Sequence, residues 1–177
     1  MKPKWWEKSK RYISKKDKVM ARLIKSYKSH LTTRNNFFYS LTRSIVSQQI
    51  SVAAADSVFS KFEKKCKGKI NPKVVNKLSI TTLRKCGLSR LKAKGIKSLA
   101  KKILKKTFDP KLIKKMDDEE AILYLSGLRQ IGRWSSEMVL IFFYNRQNIW
   151  PIQDIGLLRA ISLNYKKKYL PPKSFVK

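Results

Sequence analysis

The stretch AILYLSGLRQIGRWSSEMVLIFFY, residues 121–144, decides the fold. Apolar residues recur at helical spacing on both sides of a break from Ser126 to Gly132, which is long enough only for a turn. The spacing predicts helices over 118–125 and 133–145. Ahead of the first, Asp117 and Glu120 are placed to form a capping box, and the acids of the first turn complement the helix dipole. Gly132 stands where the second helix begins. The N–H groups of residues 131 to 133 are therefore expected to face outward with no side chain in the way, and Arg133 can add a charge-assisted contact, which together make an anion site. The same residues also suit an ordinary turn between two helices, with the glycines serving only the backbone.

Outward from this hairpin the periodicity stays helical, with no alternation of period two, so the chain is expected to be all-α. Capping residues set the starts. Asn35 and Asn36 precede FFYSLTRSIVSQQ, Ser51 precedes VAAADSVFSKFEKK, and Asn71-Pro72 and Asp109-Pro110 read as N-cap followed by N1 proline. Gly87 ends a short helix and Ser89 opens RLKAKGIKSLAKKILKK, where Leu91, Ile96, Leu99, Ile103 and Leu104 form one apolar stripe and lysines the other face. A last helix is predicted over 154–165. No internal repeat or flexible linker divides the chain, so residues 1–177 read as a single domain.

The 42 Lys and Arg against 11 Asp and Glu give a formal charge of +31 over 177 residues, which calls for a polyanion. With 42% hydrophobic residues, among them 4 Trp, 7 Tyr and 8 Phe, the chain is too apolar to be a disordered basic tail. Lysines are spread through almost every helix, and many are solvated faces. The acids are more telling: from Ala121 to Lys177 only Glu137 and Asp154 remain. A membrane partner is not expected, because the longest apolar run, Met138 to Tyr144, falls far short of the roughly 20 residues of a spanning helix. The start MKPKWWEKSKRY lacks the apolar core of a secretory signal, so a cytoplasmic location is expected. Cys66 and Cys86 are read as structural thiols.

Asp154 follows Gly132 by 22 residues, at the head of the last helix in PIQDIGLLRA. Aspartate is a preferred N-cap, and here it can cap its own helix. A partly desolvated carboxylate in a cleft can equally stabilise a developing positive charge and position water, as cleavage of a glycosidic bond requires.

Three segments, FFYSLTRSIVSQQISVAAA, LSGLRQIGRWSSEMVLIFF and IWPIQDIGLLRAI, together resemble the helix-hairpin-helix DNA glycosylases, and within them the 3-methyladenine DNA glycosylase II type. WWEKSKRYISKKDKVMARLI is also similar, so the likeness runs from about residue 5 to 170. It implies helices in two lobes around a DNA-binding cleft and removal of alkylated purines in base excision repair. The target nucleotide would be flipped out of the duplex. Asp154 takes the position of the catalytic aspartate, and Trp134 that of a base-pocket tryptophan able to hold a cationic base by cation–π attraction, unless it is simply core. Lyase relatives carry a lysine where this chain has Trp134, so a monofunctional enzyme is implied. A catalytically silent DNA-binding module is the alternative, and a ribosome-associated basic protein a weaker one.

Gln48 and Gln49 fall at the helix end from which the resemblance inserts a side chain into the gap left by the flipped base. Gln49 is the expected wedge, although two glutamines there can also be surface caps. Ile131, Gly132 and Arg133 form the expected DNA-binding hairpin, with a monovalent cation on its carbonyls as one implied feature. No cysteine follows residue 86, so no iron-sulfur cluster is expected. The expected partner is double-stranded DNA with damaged bases, met by a monomer at the nucleoid. Two departures stand out. The hairpin reads Arg129-Gln130-Ile131-Gly132 where the pattern has Pro-Gly-Ile-Gly, so Gln130 occupies a position that can require positive φ. The matched sequence also stops at PPKSFVK, before a further helix that relatives use to close the cleft.

Overall fold

The computed structural model describes residues 2–171 and 173–176; Met1, Pro172 and Lys177 of the expected domain span lie outside the described residues. In chain order the α-helices are α1 (Trp6–Lys16), α2 (Lys18–Ser26), α3 (Phe37–Ser47), α4 (Val52–Lys65), α5 (Pro72–Lys77) and α6 (Ile80–Lys85). They are followed by α7 (Arg90–Leu104), a 3-10 helix (Pro110–Lys115), α8 (Asp118–Ser126), α9 (Arg133–Phe142), α10 (Ile155–Asn164) and α11 (Lys173–Val176). No strand occurs among the described residues, so the chain is all-α as expected. No described helix is long and apolar enough to cross a membrane.

Local chemistry starts these helices. Asn36 accepts from the Tyr39 N–H at 3.0 Å, Ser51 from Ala54 at 3.2 Å, Asn71 from Val74 at 3.0 Å and Ser89 from Lys92 at 3.2 Å. Each such cap contributes about 1 kcal/mol. Asp117 and Glu120 form the reciprocal capping box, at 2.9 and 3.0 Å. Gly87, at φ +97°, ends the turn after α6.

Most of the buried hydrophobic residues form one contiguous core. At its centre α3 is enclosed on nearly every face, with Leu41, Ile45 and Val46 fully buried. It packs against α4, α7 and α9, which bring in Phe62, Ile96 and Leu140. The N-terminal and C-terminal segments meet: the Trp5 indole donates to Asn145 O at 3.1 Å, and the Tyr165 hydroxyl to Asp17 Oδ2 at 2.5 Å.

Two expectations need correction. The stripe on α7 is narrower than its sequence spacing suggested, because Leu91 and Leu104 are exposed. Its buried face keeps Ile96 and Leu99 and adds Ala93, Gly95 and Ala100, whose small size lets α7 lie close to its neighbours. Helix α9 ends at Phe142 rather than at residue 145. Asn145 takes φ +53°, and the Arg146 N–H donates back to Leu140 O at 3.0 Å, closing the helix. Phe143 and Tyr144 turn away to join Phe37 in an aromatic cluster, and the Tyr144 hydroxyl donates to Pro110 O at 2.7 Å.

Candidate functional site

The turn between α3 and α4, the start of α7, the α8–α9 hairpin and the start of α10 surround an open cleft of about 1060 Å³. Gln48, Gln49, Gly132, Arg133, Trp134 and Asp154 all line it. Of the three residues expected to form the DNA-binding hairpin, Ile131 stays out of it. Ile131 is 5% exposed, and its N–H donates to Leu128 O at 3.1 Å. The outward-facing donors therefore begin at Gly132 rather than Ile131, because the Ile131 amide closes the preceding turn.

At Gly132 the backbone has φ −104°, which any residue can adopt. A Cβ there would meet nothing within 4 Å. What the glycine provides is access, since the amides of the first turn of α9 open onto the cleft with no side chain over them.

Gln130 does take the left-handed conformation, at φ +66°, at a cost of roughly 1–2 kcal/mol for a residue with a Cβ. Two neighbours hold it there. Gly95 of α7 lies so close that an added Cβ would sit 2.9 Å from the Cβ of Gln130. Gln48 donates through Nε2 to Gln130 O at 2.7 Å and to Ser135 Oγ at 2.9 Å. Gln48 is thus a brace between the end of α3 and the hairpin. Gln49 beside it is exposed, at φ +55°, and projects without a side-chain hydrogen bond among the described residues. Lys92 donates to Val46 O at 2.9 Å and Gln48 O at 2.7 Å, capping the end of α3. Burial lowers its pKa.

Arg133 is not a free cation. Its guanidinium donates to both oxygens of Glu119 in the first turn of α8, at 2.5 and 2.8 Å, and its Nε to Glu137 Oε1 at 3.1 Å. The Glu119 contact raises the pKa of Arg133, and the hydrogen bond from Arg133 holds the Glu119 carboxyl below its ordinary range. A phosphate reaching this hairpin meets a fork already filled by a carboxylate. Glu137 is 2% exposed, and its Oε2 has no hydrogen-bond partner among the described residues. Burial raises its pKa, with Glu119 and Asp154 acting in the same direction.

Asp154 is the N-cap of α10, where Oδ1 accepts from the Leu157 N–H at 2.7 Å. Its second oxygen, Oδ2, accepts from the Trp134 indole N–H at 2.8 Å. The cap and the cleft carboxylate are one group with a hydrogen bond on each oxygen. Trp134 is half-buried against it rather than in the core. Sequence reasoning placed both residues but not the bond between them, which no spacing signals.

Among the described residues no cluster of His, Cys, Asp and Glu could hold a metal ion. The hairpin carbonyls of Gln130 and Gly132 already accept protein hydrogen bonds, from Gln48 Nε2 and from the N–H and Oγ of Ser136.

Residues 42–173 match the family model of the HhH-GPD superfamily of base excision DNA repair proteins. DNA-3-methyladenine glycosylase 1 of Schizosaccharomyces pombe is 27% identical over 163 residues, covering 90% of this chain and 72% of the relative. An alkylbase DNA glycosidase-like protein of the same yeast is 36% identical over 121 residues, and there the match spans 66% of this chain and 57% of the relative's length. The solved structure of the S. pombe 3-methyladenine DNA glycosylase in complex with abasic DNA superposes with a TM-score of 0.84 at 26% identity, over 96% of this chain and 85% of that one.

Proposed function

The chain belongs to the HhH-GPD superfamily of base excision DNA repair proteins, and from that premise we propose that it is a monofunctional DNA glycosylase releasing alkylated purines, of the 3-methyladenine II type, from duplex DNA. The observation that carries the proposal is the Asp154 carboxylate, held by the Trp134 indole at 2.8 Å in a cleft whose rim is the open helix start at Gly132.

In this reading a phosphate of the damaged strand seats on the free amides at the start of α9. The target nucleotide leaves the stack and enters the cleft, with Gln49 filling the gap behind it. The C1′–N bond then breaks, and the alkylated, already cationic base departs with the bonding electrons as a neutral molecule. The positive charge left on the sugar faces the Asp154 carboxylate. Water adds at C1′ and gives up a proton, leaving an abasic sugar.

Two features support hydrolysis over strand cleavage. The position after Gly132-Arg133 holds Trp134, not an amine. Lys92, the lysine among the residues lining the cleft, has its ammonium engaged by two backbone carbonyls. The N-cap bond of Asp154 would equally suit a silent DNA-binding module, and one experiment separates the two. Free base released from alkylated duplex is measured for the wild type and Asp154→Asn. Release by the wild type alone supports the mechanism, equal release by both removes it, and tight binding with no release by either establishes the silent module.

A further inference from the structure

Helix α7 has two different partners along its length. Its first turns, at Leu91 and Lys92, line the cleft, and Gly95 then carries the hairpin at the contact with Gln130. Beside and beyond that contact Lys94, Lys97, Lys101 and Lys102 of the helix, its C-cap Lys105 and Arg129 of the hairpin line a groove of about 390 Å³ that also includes Ile80. No carboxylate lines this groove, and none of its six cations takes part in an ion pair among the described residues. Lys97 is anchored, donating to Asn76 O at 2.9 Å and Leu78 O at 2.5 Å.

We infer that this groove is a second phosphate track, which takes the backbone of the duplex DNA flanking the damaged nucleotide after it has passed the hairpin. The inference rests on the DNA-binding half of the function proposed above and extends the footprint beyond the cleft. Three observations carry it. Arg129 lines the groove while the adjacent Gln130 lines the cleft, so the two concavities meet at the hairpin. Six cations without a counter-ion in one concavity repel each other unless a polyanion joins them. The eleven steps from Lys94 to Lys105 span about 16 Å at 1.5 Å per residue, the length of about five base pairs of duplex.

Two other basic grooves among the described residues lack that combination. The groove along α1 includes Glu7, which pairs with Lys2 and Lys10. The one lined by Lys61, Lys64, Lys65 and Lys85 includes no hairpin residue. Lysines on a solvated helix face need no partner, but a face shared with the hairpin arginine and free of acids is placed where a bound duplex continues.

The test is the triple variant Lys94→Gln/Lys101→Gln/Lys105→Gln, which leaves the anchored Lys97 and keeps good helix formers on α7. Its folding is checked by thermal melting. Binding is measured against salt on a duplex ending about three base pairs beyond the damaged nucleotide and on one extended by about ten base pairs each side. On the long duplex the slope of log K against log salt should fall by about 2 to 3 in the variant, and on the short one it should stay at the wild-type value. An unchanged slope on the long duplex, or an equal fall on both, overturns the track. Release of base from the short duplex by the wild type is scored separately. If release is absent but the length-dependent fall is present, the proposed catalysis fails and the track stands.

Discussion

The indole N–H of Trp134 donates to Oδ2 of Asp154 at 2.8 Å, while Oδ1 of the same carboxylate accepts from the Leu157 N–H at 2.7 Å. One aspartate thereby starts α10 and presents an oriented negative charge to the cleft. The two jobs can be separated by substitution. Asp154→Asn keeps a good N-cap but removes the charge and the acceptor of the Trp134 N–H, so melting temperature should fall only slightly while base release falls at least about a hundredfold. Asp154→Ala should lose both, with about 1 kcal/mol of stability. Single-turnover base release beside thermal melts decides between them.

Trp134→Phe keeps an aromatic face but deletes the donor. A hydrogen bond to a charged group contributes about 1.5–3 kcal/mol, so the rate should drop about tenfold to a hundredfold if the bond persists in the transition state. Affinity for undamaged duplex should be unchanged. A wild-type rate in this variant would show that the indole acts through its ring face alone.

Two glycines make opposite predictions. At Gly95 an added Cβ meets the Cβ and Cγ of Gln130 at 2.9 Å and Arg129 O at 3.1 Å, so Gly95→Ala should lower stability by about 1–3 kcal/mol even though alanine is the better helix former. At Gly132 the space is open, so Gly132→Ala should melt like the wild type yet bind duplex more weakly, and Gly132→Asp more weakly still. Wild-type affinity and salt dependence in Gly132→Asp would remove the hairpin as the phosphate clamp.

Glu119 occupies the fork of Arg133 from the solvent side. Glu119→Gln should free the guanidinium, raise duplex affinity and steepen the salt dependence by about one contact, with little change in melting temperature, because exposed pairs contribute little. Affinity below the wild type would show that Glu119 holds Arg133 in its binding pose.

Burial raises the pKa of Glu137. The folded state therefore binds its proton more readily than the unfolded chain, and the ionised carboxylate is a cost that appears as pH rises through the window above the ordinary glutamate value of about 4.3. As pH falls through that window the wild type should gain stability relative to Glu137→Gln. Melts of both proteins across the range check the sign: parallel curves would mean that Arg133 compensates the burial fully.

Much of the helical plan was legible because its causes are local. Asn36, Ser51, Asn71, Ser89 and the Asp117–Glu120 box act within three residues of themselves, and chain order keeps such partners together in any all-α packing. The end of α9 was misread because Phe143 and Tyr144 continue an apolar run but serve the cluster around Phe37, a contact that helical periodicity does not register. Leu91 was misplaced for the related reason that an apolar residue in register with a buried stripe can still overhang a cleft.

The helices, their caps, the hairpin between α8 and α9 and the isolation of Asp154 among basic residues can all be read along the chain. What those residues touch depends on how the helices pack. Gln48 reaches Gln130 across 82 positions, Arg133 turns to Glu119 across 14, and Trp134 finds Asp154 across 20. Each of these bonds forms only after separate helices have packed through their apolar faces. The packing energy that brings them together is non-directional, and it leaves no mark at the polar residues it happens to align.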